Sequence, residues 1–296
     1  MIFVRDKGRM CNNILQYGHL YAWGREHGRP TVSMRFAYKY RWFSISHSRH
    51  HSFLTYVVAK YGAKWGLLPV ADFGTDAPAT DYAAQEARLS RYHHIVAQGW
   101  YARWYTLFLK YKPEIIALFQ FDAQVRRGPD RLLQSLGSRC PSCPSAGSRP
   151  LRIGLHIRRG DYRRWHGGRY CYTDEQYIGI VGSYIRWLLA SGAAGSSASS
   201  ASAAHIHLIV CGNDPDLDQS AFRRALPAVT IVFAKGNPAE DLYLLSECHR
   251  LIGAPSTFTL VASMYHDVPL YWIDDPTLQP TDAHFGHFDQ LFQQIR

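Results

Sequence analysis

From residue 151 onward, strand-like and helix-like patterns alternate, and this order constrains the fold more than any other feature of the sequence. Short apolar runs, several with a period of two, predict strands at 151–157, 205–211, 229–233, 250–254 and 268–273. Segments with helical apolar spacing separate them, at 174–190, near 216–224, at 239–248 and at 256–265. Repeated strand, helix and strand units with right-handed crossovers build a parallel, doubly wound sheet. We therefore expect an α/β fold.

The first half of the chain is less regular but begins with the same order. It predicts a strand at 1–4, a helix at 12–27 and a strand at 31–35. Residues 139–150 are rich in Pro, Gly, Ser and Cys and break the periodicity, so we interpret them as a connector. The expected architecture is two Rossmann-like domains, 1–145 and 146–296, facing each other across a cleft.

Length and composition favour a globular protein with a reducing environment. The chain has 296 residues, 47% of them hydrophobic, which is enough to bury a full core. It shows no apolar run of membrane-spanning length and no signal-peptide pattern at its start, so we expect a soluble, unexported protein. Six cysteines are scattered along the sequence, several within apolar patterns where a thiol behaves as a small buried hydrophobe. We expect a cytoplasmic location.

A net charge of +10 leaves nucleic acids, anionic lipid headgroups and phosphorylated small molecules as partners. The basic residues are dispersed between aromatic residues, without a Lys/Arg block, a zinc finger or an RNP-type motif, so we expect no nucleic-acid partner. Cys140 and Cys143 have the spacing of half a zinc knuckle, but no second pair of matching spacing follows. We therefore predict no metal.

Charge is concentrated directly after the strand predicted at 151–157, where the sequence reads Arg158, Arg159, Gly160 and Asp161. An open α/β sheet binds its ligands just beyond the carboxyl ends of its strands. Two adjacent guanidinium groups offer forked donors for phosphate oxygens, and Asp161 can hold one of them in place. A diphosphate is the expected ligand; the alternative is a solvated turn of Arg and Asp.

Polar residues also follow other predicted strands. Near the N-terminus, Gly8 permits a tight turn and Asn12 offers both a donor and an acceptor, although Asn12 can also serve only as a helix cap. Asp214 lies after the strand predicted at 205–211, where it either caps the next helix or contacts the ligand.

Two helix starts in the second half complete the candidate site. Ser256 or Thr257 opens a helix whose free N–H groups can hold phosphate. Asp241 lies early in the preceding helix, where a carboxylate favours the helix dipole or accepts hydrogen bonds from the N–H edge of a purine.

These segments together resemble one family of enzymes. The sequence from His156 to Tyr162, His-Ile-Arg-Arg-Gly-Asp-Tyr, resembles the signature of glycosyltransferase family 11, the α-1,2-fucosyltransferases, and is similar to that of the α-1,6- and protein O-fucosyltransferases. The run from Gly8 to Tyr17 resembles the start of the family, with Cys11 in place of the usual Gly. Three further blocks follow the family's order, at 98–100, 241–252 and 256–259.

The resemblance implies a GT-B-type fold, GDP-fucose as donor and metal-independent inversion. It implies that Arg158 and Arg159 hold the diphosphate, and that Asn12 reaches the β-phosphate and the sugar. The remaining expected donor ligands are His156 and Asp241 near the guanosine, and Ser256, Thr257 and Phe258 around the phosphate and base. With Asp214 these residues form the predicted GDP-fucose site.

The chemistry of such a transfer needs stabilised charge on the departing GDP and a group that takes the acceptor proton. Arg158 is the expected catalytic arginine. Asp161, His166 and Asp174 follow the motif closely enough to be candidate bases, with a plain surface role as the alternative for His166 and Asp174.

We therefore expect an inverting fucosyltransferase without a cofactor that transfers L-fucose to a glycan hydroxyl, in α-1,2 linkage to a galactoside. Its expected acceptor is a glycan or lipid-linked oligosaccharide of a bacterial surface glycan, and its expected surroundings include peripheral contact with an anionic membrane. The alternatives are another nucleotide-sugar glycosyltransferase, or a non-catalytic glycan- or nucleotide-binding protein of the same fold.

Overall fold

The computed structural model describes residues 1–5, 7–74, 81–137, 150–191, 206–212 and 214–295. The chain divides into two compact units, Met1–Asp122 and Ala123–Arg296. Each unit contains its own parallel β-sheet with helices packed against it.

The first unit contains a four-stranded sheet. Its strands are β1 (Ile2–Arg5), β2 (Thr31–Ser33), β3 (Val70–Asp72) and β4 (Ile95–Gln98). Its helices are α1 (Met10–Glu26), α2 (Phe53–Lys64), α3 (Tyr82–Arg91), α4 (Tyr105–Lys110) and α5 (Lys112–Leu118). The strand order is β2-β1-β4-β3 and every neighbouring pair is parallel. The chain continues from β1 to β2 on one side, whereas β3 and β4 lie on the other side of β1. The strand order of this sheet therefore reverses between β1 and β4.

The second unit contains a five-stranded sheet. Its strands are β5 (Leu151–Ile157), β6 (Ile206–Gly212), β7 (Thr230–Phe233), β8 (Arg250–Gly253) and β9 (Leu270–Trp272). Its helices are α6 (Ala123–Gly137), α7 (Asp174–Ser191), α8 (Gln219–Ala225), α9 (Pro238–Ser246), α10 (Thr257–His266) and α11 (Phe288–Phe292). The order is β7-β6-β5-β8-β9, again parallel throughout.

Strand β5 is the centre of the second sheet, and its two faces have different neighbours. Ile153, Leu155 and Ile157 are fully buried in a cluster that includes residues of α7 and α8. The alternate positions face α9 and α10: a Cβ atom at Gly154 would lie 2.7 Å from the Cδ2 atom of Leu245 in α9. A side chain at 154 would therefore push α9 away from the sheet.

The predicted α/β order is confirmed in both halves, with shifts of one to three residues at element ends. The structure adds β3, β4, the helices from α2 to α6 and α11, which were not predicted. Strands β3 and β4 have three and four residues and α4, α5 and α11 have at most seven, too few to carry a clear pattern, whereas α3 and α6 are amphipathic and could have been recognised. The predicted connector lies outside the described residues except for Pro150, and the boundary at 145–146 stays a prediction. By its contacts, α6 groups with the second unit, so the compact units divide at 122–123, before the predicted boundary. Along the described ranges, no helix has the length and apolar character needed to cross a bilayer.

Candidate functional site

The candidate site lies at the carboxyl edge of the second sheet, where the strand order reverses between β5 and β8. Ligands of open α/β sheets bind at such a reversal, because the connections on its two sides run to opposite faces and leave a crevice. Strand β5 leads into Arg158, and β8 leads through Pro255 into α10. Two contacts described below join these segments: the rings of His156 and Phe258 stack, and Tyr162 hydrogen-bonds to Pro255. The two predicted motifs therefore lie next to each other.

Arg158 is positioned by its own loop and keeps donor capacity. One Nη atom donates to a carboxylate oxygen of Asp161 at 3.0 Å, and its guanidinium lies over the ring of Tyr162, 5.2 Å from the centroid. Its Nε atom is buried and has no hydrogen-bond partner among the described residues. A buried, charged donor without an acceptor is costly, and a phosphate oxygen would satisfy it.

Arg159 has different surroundings: each of its three guanidinium nitrogens donates a hydrogen bond inside the protein. Nε donates to the carbonyl of Tyr172 at 2.8 Å, one Nη atom donates to Asp214 at 2.7 Å, and the other donates to Asp174. The side chain is 11% exposed and that of Asp214 is 4% exposed. In this state Arg159 ties the loop after β5 to the starts of two other segments, and its predicted phosphate contact stays a prediction.

His156 and Phe258 stack across the reversal of the sheet. Their ring centroids are 4.7 Å apart with an interplanar angle of 19°. Burial, as the larger cause, and the nearby charge of Arg158 together lower the pKa of His156 to about 3. The imidazole is therefore neutral near pH 7, and its Nδ1 atom has no hydrogen-bond partner within the described ranges.

Asp241 is a partly buried carboxylate in the first turn of α9. Burial raises its pKa to about 7, and the neighbouring charge of Glu240 contributes to that rise. The Oδ1 atom is buried without a hydrogen-bond partner in the described part of the chain. The backbone of Asp241 lies against the Sγ atom of Cys211, which pairs with His156 in the strand register, so α9 begins beside the centre of the sheet.

The start of α10 forms the other side of the crevice. Ser256 is the N-cap and accepts a hydrogen bond from the backbone N–H of Thr259, and Thr257 is the first helical residue, as predicted. Tyr162 donates its hydroxyl to the carbonyl of Pro255 at 2.5 Å. This bond fixes the loop after β5 relative to the helix start, whose remaining N–H groups favour an anion.

Two predicted capping alternatives are wrong. Helix α8 begins at Gln219 and is capped by Asp218, so Asp214 does not cap it. Helix α1 begins at Met10 with Arg9 at the N-cap position, so Asn12 lies within the first turn. Asp214 instead pairs with Arg159; burial raises its pKa, but the hydrogen bonds from Arg159 and the Asp216 N–H outweigh burial and hold the pKa below its usual range.

The candidate bases occupy distinct environments. Asp161 is half exposed and paired with Arg158. His166 is exposed on a turn with φ of 47°, its ring against that of Trp165 at 4.4 Å between centroids. Asp174 uses one carboxylate oxygen for Arg159 and the other for the backbone N–H of Asp218 at 2.9 Å. Its position suits an anchor within the fold.

The N-terminal motif lies at the carboxyl edge of the first sheet. Gly8 has φ of +87°, and a Cβ atom there would lie 2.6 Å from the amide nitrogen of Asn12, so this turn requires glycine. Asn13, which the sequence analysis did not single out, is fully buried, and its amide atoms have no hydrogen-bond partner among the described residues. Gln98 ends β4 beside β1 and accepts a hydrogen bond from Arg5 at 3.1 Å.

The arrangement in the second unit suits a nucleoside diphosphate. It combines a charged donor, a helix start, a pair of stacked rings and a buried acceptor at one edge of the sheet. No group of three or more His, Cys, Asp or Glu that could hold a metal ion occurs within the described residues.

Solved structures of fucosyltransferases share this fold. A FUT1 variant from Arabidopsis thaliana in complex with GDP aligns with a TM-score of 0.57 and 11% identity, over 97% of this chain and 73% of that chain. NodZ α-1,6-fucosyltransferase with GDP aligns at 0.55 and 13% identity, over 97% of each chain. POFUT1 with GDP-fucose aligns at 0.57 and 9% identity, over 95% and 96%. The expected GT-B-type α/β fold is confirmed.

Sequence comparison points to a narrower group, the galactoside α-1,2-fucosyltransferases. The chain is 25% identical to galactoside 2-alpha-L-fucosyltransferase SEC1 of Bos taurus over 279 residues, which are 88% of this chain and 63% of the relative. It is 26% identical to Sec1 of Mus musculus over 283 residues, 89% and 64% of the two chains. No family model matches the chain. The predicted resemblance to α-1,2-fucosyltransferases is confirmed, and the matched region spans about 63% of the first relative's length.

Proposed function

We propose that the protein is a GDP-fucose-dependent, inverting and metal-independent fucosyltransferase that forms an α-1,2 linkage to a galactoside. One observation carries the proposal: the same edge of the sheet holds a buried donor without an acceptor, Arg158 Nε, and a buried acceptor without a donor, Asp241 Oδ1, among the described residues. A guanosine diphosphate offers both missing partners, phosphate oxygens and the N–H edge of guanine.

The proposed reaction follows from this arrangement. The acceptor hydroxyl attacks the anomeric carbon from the face opposite the diphosphate, the bond between that carbon and GDP breaks, and the electron pair passes to a β-phosphate oxygen. Arg158 and the N–H groups at the start of α10 stabilise that developing charge. The acceptor proton passes to a base, for which His166 and Asp161 are the candidates from this chain.

The proteins that this chain resembles support the donor and acceptor classes. The relatives are galactoside fucosyltransferases, and the structural neighbours were solved with GDP or GDP-fucose. We extend the proposal to a glycan or lipid-linked oligosaccharide of a bacterial surface glycan as acceptor and to a cytoplasmic location. Within the described ranges, Cys211 and Cys248 are buried thiols that form no disulfide, which supports a reducing compartment.

Ligand-induced stabilisation tests the donor site directly. GDP and GDP-fucose should raise the melting temperature in excess chelator, while UDP should raise it less, because only a ligand that prefers the native state stabilises it. GDP-mannose separates recognition of the sugar from that of the nucleotide. A strict need for a divalent cation would contradict the metal-independent mechanism.

Transfer to a galactoside tests the activity itself. We expect fucose on the 2-hydroxyl with inverted anomeric configuration, read by NMR of the product. Binding of GDP-fucose without transfer to any galactoside would favour a non-catalytic binding protein, and transfer from UDP-sugars would favour another glycosyltransferase.

A further inference from the structure

Helix α2 in the first unit presents its large apolar side chains outward. Phe53 is 64% exposed, Leu54 70% and Trp65, which directly follows the helix, 67%; Leu67 in the next turn is 74% exposed. Monomeric soluble proteins rarely expose contiguous apolar patches of this kind without a partner. We call Phe53, Leu54, Val58, Tyr61, Trp65 and Leu67 the α2 patch.

The opposite face of α2 carries small residues and packs on the sheet. Ala59 is fully buried, and Ala63 and Tyr56 pack against the cluster formed by Phe3, Val32 and other residues of the first sheet. At 100° per residue, the exposed apolar positions from 53 to 65 fall within an arc of roughly 140°. An ordinary surface helix buries its large apolar residues; here the core side carries Ala59, Ala63 and Tyr56, while the rings of Phe53, Tyr61 and Trp65 are exposed.

The stretch of chain that contains α2 carries formal charge of one sign. Between Glu26 and Asp72 the sequence contains seven Lys or Arg residues and no Asp or Glu. Lys64 is exposed on the helix, and Arg49 is exposed just before it. The Lys60 ammonium lies 5.5 Å from the ring centroids of both Tyr56 and Tyr61, so its stem runs along the aromatic surface.

We propose that the α2 patch docks on the surface of an anionic lipid bilayer, with its apolar side chains in the interfacial layer and its cations against the headgroups. Helices that combine Trp, Phe and Leu on one face with flanking lysines lie in membrane interfaces, and Trp and Tyr favour that depth. Each cation near such a surface adds to the attraction, which falls off within a Debye length.

A second copy of the chain fits the patch less well. A two-fold interface would bring the same surface of both copies together, including Lys60, Lys64 and Arg49, with no acidic partner from the whole stretch 27–71. An anionic bilayer satisfies the cations and the apolar surface at the same time. The inference does not depend on the proposed catalytic activity.

Vesicle flotation of the full chain tests the proposal. We expect binding to vesicles of phosphatidylcholine and phosphatidylglycerol, little binding to phosphatidylcholine alone, and weaker binding at high salt. The triple variant F53S/L54S/W65S should bind at least about tenfold more weakly. Leu54→Ser alone should weaken binding, whereas the matched change Leu278→Ser, at an exposed leucine of the second unit, should not.

Charge reversal and fluorescence give independent readouts. Lys64→Glu should reduce binding about fivefold or more, while Arg127→Glu, on an exposed arginine of α6, should change it less. Brominated lipids should quench part of the tryptophan emission, and this part should disappear in Trp65→Phe, which retains binding.

Three outcomes would overturn the proposal. If the wild-type protein did not bind anionic vesicles, the α2 patch would be excluded as a membrane-binding surface. The same would follow if the triple variant bound as tightly as the wild type. Concentration-dependent dimerisation in sedimentation, abolished by the triple variant and without vesicle binding, would assign the patch to self-association. Because the altered side chains are exposed, unchanged thermal unfolding is expected and checks that the variants fold.

Discussion

At the residue scale, Arg158 and Arg159, which follow β5 directly, have different roles. Arg158 keeps a buried donor without a partner among the described residues, whereas Arg159 is bound by two carboxylates and a carbonyl. We expect Arg158→Ala to lower turnover by about 10²–10³-fold with little change in stability. Steady-state kinetics and thermal unfolding of the same variant measure both effects.

Arg159→Ala should act mainly on the fold. Removing the guanidinium leaves the carboxylates of Asp174 and Asp214 without their cation, which costs about 3–5 kcal/mol when such a pair is buried. Urea unfolding measures the loss. A variant as stable as the wild type but without GDP affinity would instead assign Arg159 to the phosphates.

The pKa of Asp241 predicts a pH dependence of donor binding. If the ionised carboxylate accepts the N–H groups of guanine, affinity for GDP-fucose should fall as the pH drops through about 7, by about tenfold between pH 8 and pH 6. Calorimetric titration measures this profile. Asp241→Asn should bind more weakly with a flat profile, and Glu240→Gln, which removes the neighbouring charge, should shift the profile to lower pH.

The same carboxylate predicts the opposite sign for stability without ligand. Its pKa is about 7 in the folded chain and about 4 when unfolded, so the folded state holds the extra proton between these values. Stability is therefore lost as the pH rises from about 4 to 7. Asp241→Asn should be more stable than the wild type at pH 8, by about 2–4 kcal/mol, with little difference near pH 4. Equal stability of both proteins at pH 8 would argue against a buried, strained carboxylate.

At the scale of elements, the crevice depends on one contact between a loop and a helix start. The Tyr162 hydroxyl donates to the Pro255 carbonyl, which holds the loop after β5 against the start of α10. Tyr162→Phe should cost about 1 kcal/mol of stability and weaken GDP binding several-fold.

A second tyrosine supplies the control for this prediction. Tyr172 donates its hydroxyl to the carbonyl of Ile273 at 2.6 Å, a bond to the chain just after β9. Tyr172→Phe should lose similar stability but keep its GDP affinity. If both variants lost affinity equally, the effect of Tyr162 would reflect general loosening of the unit.

At the scale of the whole molecule, the two units are separate sheets with separate cores, and the candidate nucleotide site belongs to the second. We expect GDP to slow amide exchange in 153–161, 236–243 and 254–260. The amide hydrogen exchange rates in β2 and α2 should not change. Protection spread evenly over both sheets would indicate global stabilisation and no local site.

Much of this organisation was predictable from the sequence. The order of strands and helices after residue 151 was recognised because burial on both faces of a parallel sheet produces short apolar runs, with helices of regular spacing between them. Arg158, Asp241 and Ser256 were singled out as candidates because polar groups at strand ends and helix starts are local in sequence, whereas His156 came only from the family resemblance. Their roles in ligand binding stay predictions. Short strands such as β3, with three residues, carry too little pattern to be recognised.

For the chain after residue 151, the sequence by itself determined most of the elements, their parallel order and which strand ends carry polar groups, since each depends on neighbours a few residues apart. Only the tertiary structure decided what each charged group does. Arg158 and Arg159 are adjacent in sequence, yet Arg159 meets Asp214, 55 residues away, while Arg158 meets Asp161. The same holds for the burial that raises the pKa of Asp241 and for the exposure of one face of α2. Both depend on segments that are distant in sequence and close in space, because electrostatic and hydrophobic free energies depend on which groups are near each other.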